Sequence, residues 1–117
     1  MGLSRLAQEF AAEIKQHDWS DAPYRPDRAG HNRERDYEKS SKTPVLNSDE
    51  TEVLRLNVMW VTAQVLAHAE RTNFDVVEFA QACGVNTEKW AGGIQRGLRI
   101  RNGRCVKPGT WDELSDD

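Results

Sequence analysis

Residues 73–85, which read NFDVVEFAQACGV, contain the signals for both the start and the end of one helix. Asp75 belongs to the residue types that cap helix N-termini, and Phe74 and Phe79 have the spacing of a hydrophobic staple around that cap. Gly84 is the usual residue type just beyond a helix C-terminus, because glycine adopts the left-handed conformation without steric cost. These signals predict a short helix between Asp75 and Gly84.

The segment before this helix predicts a longer one that begins near Asn47 or Ser48. Asn47 and Glu50 have capping-box spacing, and an acidic first turn suits the positive end of the helix dipole. From Val53 to Leu66 the helix is apolar on nearly every side. Such a helix normally lies in the centre of a domain, and in a small protein it is also a candidate dimer interface.

The N-terminal third contains one further helix and one long polar segment. Apolar residues recur at helical spacing over residues 3–17, which predicts an amphipathic helix closed by His17. Residues 18–47 lack periodicity and contain almost no aliphatic side chains, so we expect a long loop. Trp19, Tyr24 and Tyr37 are its candidate anchors to the folded part.

Beyond Gly84, the sequence predicts a fourth helix and then a hairpin. Asn86 is a candidate cap for a helix that runs to about Arg96, although Gly92 and Gly93 lower its helix propensity. Asn102-Gly103 between short alternating runs is typical of a two-residue β-hairpin turn. This turn pairs Ile100 with Cys105 and Arg101 with Arg104, and it separates an apolar face from an arginine face.

These elements together predict a mainly α fold: a small helical domain with a helix-turn-helix and a short C-terminal β-hairpin. We expect a single domain over residues 1–117. Its parts are the amphipathic helix at 3–17, the polar loop at 18–47, the helical core with the hairpin at 48–107, and an acidic tail at 108–117.

The net charge of −3 conceals a strong segregation of charge along the chain. Residues 1–85 and residues 108–117 each have a net charge of −4, whereas residues 86–107 have a net charge of +5. The basic residues concentrate between Arg96 and Lys107. Like charges that face each other across a strand pair destabilise it, so an anion that neutralises the hairpin arginines would explain their presence.

Residues 76–95 resemble the helix-turn-helix unit of DNA-binding proteins. The resemblance rests on Ala80 in the first helix, Gly84 at the turn, Val85 directly after it and Trp90 in the second helix. Gly93 stands where the pattern has a further aliphatic residue. The hairpin that follows resembles the wing of winged-helix proteins, so the resemblance extends over residues 76–107.

The resemblance implies a small DNA-binding protein, such as a regulator of transcription or replication. In that family the second helix enters the major groove of double-stranded DNA, and the wing touches phosphates or the minor groove. The DNA-binding residues expected here are Thr87, Glu88, Lys89, Gln95, Arg96, Arg99, Arg101, Arg104 and Lys107. A homodimer is also expected, since such proteins often pair.

Other interpretations of the same residues remain open. The alanine–glycine spacing also occurs where two helices merely pack against each other. The main functional alternative is an interaction protein of the phage or mobile-element type that binds and modulates a host protein, through residues 18–47 or the apolar central helix. RNA is a third candidate ligand, because arginines on a hairpin do not distinguish A-form from B-form backbones.

The sequence lacks the residue patterns that several classes of protein require. No apolar run reaches the length of a membrane span, and no secretory signal is visible, so we expect a cytoplasmic protein. The histidines and the two cysteines, Cys83 and Cys105, lack metal-binding spacings, so no metal or other cofactor is expected. No nucleophile elbow or phosphate loop is present, and the protein is not expected to be an enzyme.

Overall fold

The computed structural model describes residues 2–24, 26, 44–90 and 92–114. The α-helices in chain order are α1 (Arg5–Gln16), α2 (Ser48–Glu70) and α3 (Val76–Ala82). Short 3₁₀ helices span Arg71–Asn73 and Gln95–Gly97, and the hairpin strands are β1 (Ile100–Arg101) and β2 (Arg104–Cys105). The predicted class, mainly α with a short C-terminal hairpin, is confirmed.

Helix α1 follows its apolar periodicity, with bounds slightly inside those expected. Ser4 caps its N-terminus by accepting a hydrogen bond from the Ala7 N–H, and Ala7, Ala11 and Ile14 are buried. His17 is the C-terminal cap residue in an extended conformation rather than part of the last turn.

Helix α2 begins with the predicted capping box and crosses the core. The Glu50 N–H donates to Asn47 Oδ1 at 2.8 Å, and the Asn47 N–H donates to Glu50 Oε1 at 3.0 Å. Leu56, Met59 and Leu66 on its inner face are buried. Its outer face is not covered within the described residues, because three outward-facing valines are exposed: Val53, Val61 and Val65.

Helix α3 is confirmed at both ends. The Asp75 carboxylate accepts hydrogen bonds from the N–H groups of Val77 and Glu78, and the Phe74 and Phe79 rings pack with their centroids 5.3 Å apart. Gly84 has a φ of +83°, the left-handed conformation expected of a residue that ends a helix. Phe79 is fully buried and joins α3 to the core that α1 and α2 share.

The fourth helix predicted from Asn86 to Arg96 is not formed as an α-helix in the described residues. Asn86 Oδ1 does accept from the Glu88 and Lys89 N–H groups, at 3.2 and 3.3 Å. Residues 87–90 and 92–94 nevertheless form turns, followed by the 3₁₀ helix Gln95–Gly97. Gly92, with a φ of +75°, is incompatible with a continuous right-handed helix at that point.

Most of the predicted loop at residues 18–47, including Tyr37, lies outside the described residues. Within the described part, Trp19 acts as an anchor because its indole N–H donates to the Ile14 carbonyl oxygen at 2.9 Å. The Tyr24 side chain is 49% exposed. The Leu46 N–H donates to the Ser20 carbonyl oxygen at 2.6 Å, so the two ends of this segment are held together.

Candidate nucleic-acid interface

The hairpin has the predicted register and turn. Ile100 pairs with Cys105 and Arg101 pairs with Arg104, and the Val106 N–H donates to the Arg99 carbonyl oxygen at 2.9 Å. Asn102 and Gly103 have φ values of +54° and +75°, as a tight turn between two twisted strands requires. The turn therefore presents two arginines directly opposite each other.

A buried glutamine on α2 fixes the base of this hairpin. The Gln64 side chain is 4% exposed, and its Nε2 donates to the Val106 carbonyl oxygen at 2.9 Å and to the Arg99 carbonyl oxygen at 3.2 Å. Its Oε1 accepts from the Arg99 N–H at 2.8 Å. One amide thus satisfies backbone groups on both strand extensions, which holds the hairpin against the central helix.

The segment that leads into the hairpin is fixed by a tryptophan of the same helix. The Trp60 indole N–H donates to the Ile94 carbonyl oxygen at 2.7 Å. The Trp60 ring also lies so close to Gly97 that a Cβ atom there would overlap it. Trp60 and Gln64 are one helical turn apart on α2, so a single helix face positions both the approach to the hairpin and its base.

Four arginines form the basic surface of this region, which we call the arginine surface: Arg96, Arg99, Arg101 and Arg104. Three of them are exposed, and Arg99 is partly buried with its Nε enclosed and without a hydrogen-bond partner. Among the described residues, none of the four has a carboxylate partner within ion-pair distance. Their positive charge is therefore available to an external anion.

The two lysines expected at the interface are placed differently. Lys89 Nζ lies 3.2 Å from Glu52 and 3.6 Å from Asp49, two carboxylates on α2. The hydrogen bond to Glu52 is the main reason that the pKa of Lys89 is raised. Lys107 Nζ lies 3.8 Å from the Glu113 carboxylate. Both cations already have acidic neighbours.

The remaining expected contact residues are Thr87, Glu88 and Gln95. Thr87 is partly buried and accepts a hydrogen bond from the Gln81 side chain at 3.3 Å. Glu88 and Gln95 are exposed. Thr87, Glu88 and Lys89 lie in turns, so they do not share the face of a helix as the resemblance had implied.

Sequence reasoning missed Gln64 and Trp60, which position the arginine surface. The available signal was a glutamine within the apolar run of α2, a position where a polar side chain requires hydrogen-bond partners once it is buried. The partners themselves are 35 and 42 residues further along the chain. Local spacing could not identify them.

The described residues also bear on metal and membrane interpretations. In the part of the chain that the structure describes, no group of histidine, cysteine or acidic side chains is arranged to hold a metal ion. Cys83 is fully buried, and burial raises the pKa of its thiol to about 12, which keeps it protonated at neutral pH. Within the described residues, no helix has both the length and the apolar character needed to cross a bilayer.

Comparisons with known proteins assign neither a family nor a function. A scan against protein-family models finds no matching family, and searches of the curated proteins and of the solved structures find no match. The functional argument therefore rests on the residues of this chain.

Proposed function

We propose that the protein binds double-stranded DNA by placing its arginine surface on the phosphate backbone. The observation that carries this proposal is a hairpin, held against α2 by Gln64, whose arginines have no acidic partner among the described residues. Arginine is well suited to this role because its planar guanidinium donates paired hydrogen bonds to phosphate oxygens.

The geometry favours backbone contact over readout of bases by a helix. Arg101 and Arg104 face each other near the hairpin tip, and Arg96 lies on the 3₁₀ helix before it. Residues 87–90 are turns, so Thr87 and Glu88 are proposed only as contacts at the edge of the interface. Phosphate contacts of this kind position a protein on the duplex without reading its sequence. Such binding would suit a small regulator of transcription or replication.

The salt dependence of binding tests the proposal. Each neutralised phosphate contributes about −0.9 to the slope of log affinity against log salt, so four arginines predict a slope of roughly −3 to −4. Fluorescence anisotropy with a labelled mixed-sequence duplex, from about 50 to about 200 mM salt, measures this slope. An RNA duplex of the same sequence is the comparison ligand.

A matched pair of variants locates the interface. Arg101→Ala with Arg104→Ala should weaken binding and make the slope shallower by about 2. Arg5→Ala with Lys15→Ala removes the same charge from α1 and should leave the slope unchanged. The proposal fails if the native chain does not bind the duplex at the lowest salt, or if the two double variants behave alike.

A second candidate function is binding to another protein through α2. Val61 is 72% exposed, and Val53 and Val65 are also exposed along the same helix. An interaction protein would use such side chains as its contact surface. If Val61→Lys abolishes capture of a single stoichiometric partner while duplex binding is absent, this candidate replaces the first.

A further inference from the structure

The outer face of α2 carries a single row of exposed side chains. From Val53 to the end of the helix, the exposed positions recur at every fourth residue: Val53, Asn57, Val61, Val65 and Ala69. Side chains four residues apart form a continuous ridge on a helix surface. We call this row the α2 ridge. Val61 lies at its midpoint and is the most exposed of its valines, at 72%.

The α2 ridge contains no charged residue. Charged residues make up 30% of the chain, and the side of a helix that faces water normally concentrates them. From Val53 to Glu70 the charged side chains are those of Arg55 and Glu70, and both are partly buried and lie outside the ridge. The composition of the ridge is therefore that of the centre of an interface, where charged residues are depleted.

A second row of side chains runs beside the α2 ridge. Leu54, Val58 and Thr62 each follow a ridge residue by one position, and each is partly buried. The Thr62 hydroxyl donates to the Val58 carbonyl oxygen at 2.9 Å, so this polar group is already satisfied within the helix. The groove between the two rows thus presents apolar groups to an incoming side chain.

The ridge and the groove beside it are complementary to a second copy of themselves. When the i±4 ridge of one helix enters the i±4 groove of another, the helices cross at about −50°, the commonest packing class in globular proteins. A twofold axis at Val61 lets each copy supply a ridge and receive the other's ridge, as a symmetric dimer requires. A second copy also brings an equally uncharged surface, whereas a partner recognised by its charge would find no opposite charge on the ridge.

We propose that the α2 ridge is the interface of a symmetric homodimer, in which the Val61 side chains of the two copies touch at the twofold axis. The ridge from Val53 to Ala69 is about 24 Å long, at a rise of about 1.5 Å per residue. One helix pair of this length buries less surface than a standard interface of about 1,600 Å², so the dimer is reversible, with a dissociation constant in the micromolar range. The proposal does not rest on DNA binding, because the ridge includes no arginine.

Sedimentation velocity of the purified full chain tests the dimer. Between about 5 and about 500 µM, the native chain should shift from its monomer mass of 13.3 kDa toward twice that mass. Val61→Lys places a charge in the interface and should raise the dissociation constant by at least about tenfold. Val45→Lys is the matched control, because Val45 is 62% exposed and precedes α2; it should leave the dissociation constant unchanged.

Two results of this experiment would overturn the proposal. A native chain that stays monomeric at every concentration would show that a different protein, or another segment of this chain, covers the ridge. Equal effects of Val61→Lys and Val45→Lys would show that the copies associate elsewhere. Arg101→Ala with Arg104→Ala should leave the dissociation constant of the dimer unchanged, which separates this interface from the proposed contact with the duplex.

A pair of charge variants tests the position of the axis. Val61→Lys and Val61→Glu each place like charges against each other across the axis, so each variant alone should be monomeric. An equal mixture should form a heterodimer, because an ammonium group of one chain then meets a carboxylate of the other. Circular dichroism checks that both variants keep their helices. If the mixture remains monomeric, the Val61 side chains do not meet at the axis and the proposed interface is wrong.

Discussion

Gln64 is a polar side chain at a position where α2 would otherwise present an apolar surface to the hairpin. Its amide hydrogen-bonds to three backbone groups, on Arg99 and Val106. A buried hydrogen bond adds only modest net stability, but leaving its partner unsatisfied costs the full desolvation of that group. The hairpin is therefore more sensitive to loss of this amide than to most changes on its own surface.

We predict that Gln64→Met lowers the free energy of unfolding by about 3 kcal/mol. Methionine has a similar volume, so the loss reflects the Arg99 N–H and the Val106 carbonyl oxygen left without partners rather than a cavity. The Arg99 carbonyl oxygen keeps its hydrogen bond from the Val106 N–H. Urea unfolding followed by tryptophan fluorescence measures the change. Gln16→Met, at an exposed position at the end of α1, should alter stability by less than about 0.5 kcal/mol. Equal stabilities for the two variants would contradict the role assigned to Gln64.

Cys83 makes stability depend on pH in the alkaline range. Burial raises the pKa of its thiol from an ordinary 9.0 to about 12, so the folded chain retains a proton that the unfolded chain loses above about pH 9. Stability should then fall by up to about 1.4 kcal/mol per pH unit from that point upward. The difference in unfolding free energy between the native chain and Cys83→Ala isolates this effect. Stability curves that stay parallel from pH 7 to pH 11 would argue against it.

The acidic tail and the hairpin are connected at the scale of elements. The Lys107 N–H donates to the Glu113 carbonyl oxygen at 2.7 Å, and the two side chains lie 3.8 Å apart. The chain after the hairpin thus turns back to the basic residue at the end of the arginine-rich segment. Carboxylates on this segment would compete with phosphate for the same positive field.

We predict that neutralising the tail tightens DNA binding without changing the fold. The variant replaces Asp112, Asp116 and Asp117 with Asn and Glu113 with Gln, so the Glu113 carbonyl group is retained. Affinity for a mixed-sequence duplex should rise by about three- to tenfold at low salt, and the gain should shrink as salt screens the tail. Removal of residues 112–117 should act in the same direction. Unchanged affinity at low salt would show that the tail does not compete.

The success of sequence-based prediction differed between elements for identifiable reasons. Helix α2 begins where its Asn47 cap dictates, and α3 begins and ends where Asp75 and Gly84 dictate. The hairpin register followed from Asn102-Gly103 alone. The conformation of residues 86–97 could not be predicted from local residues, because the Trp60 indole N–H donates to the Ile94 carbonyl oxygen and the Trp60 ring packs on Gly97. These contacts come from a helix more than thirty residues away, and they override a local helix cap.

At the scale of the whole molecule, a net charge of −3 coexists with the arginine surface. Net charge governs long-range repulsion from DNA, whereas contact is decided by charges within about one Debye length, roughly 8 Å at physiological salt. Arginines on a hairpin held against α2 provide such a local field. The local arrangement should therefore outweigh the overall charge.

Two variants separate the effect of the overall net charge from the effect of the arginine surface. Glu9→Gln with Glu13→Gln changes two exposed side chains of α1 and raises the net charge to −1, since two negative charges are lost from −3. Adding Arg101→Ala and Arg104→Ala to that variant restores −3. We expect the first variant to bind the duplex about as tightly as the native chain, within about threefold, because α1 packs mainly against α2 and α3, whereas the hairpin packs on α2. We expect the variant with all four substitutions to bind the duplex much more weakly, although its net charge equals that of the native chain. Anisotropy at a single moderate salt concentration compares all three proteins. If affinity instead follows net charge, the DNA contact is diffuse and the arginine surface is not its centre.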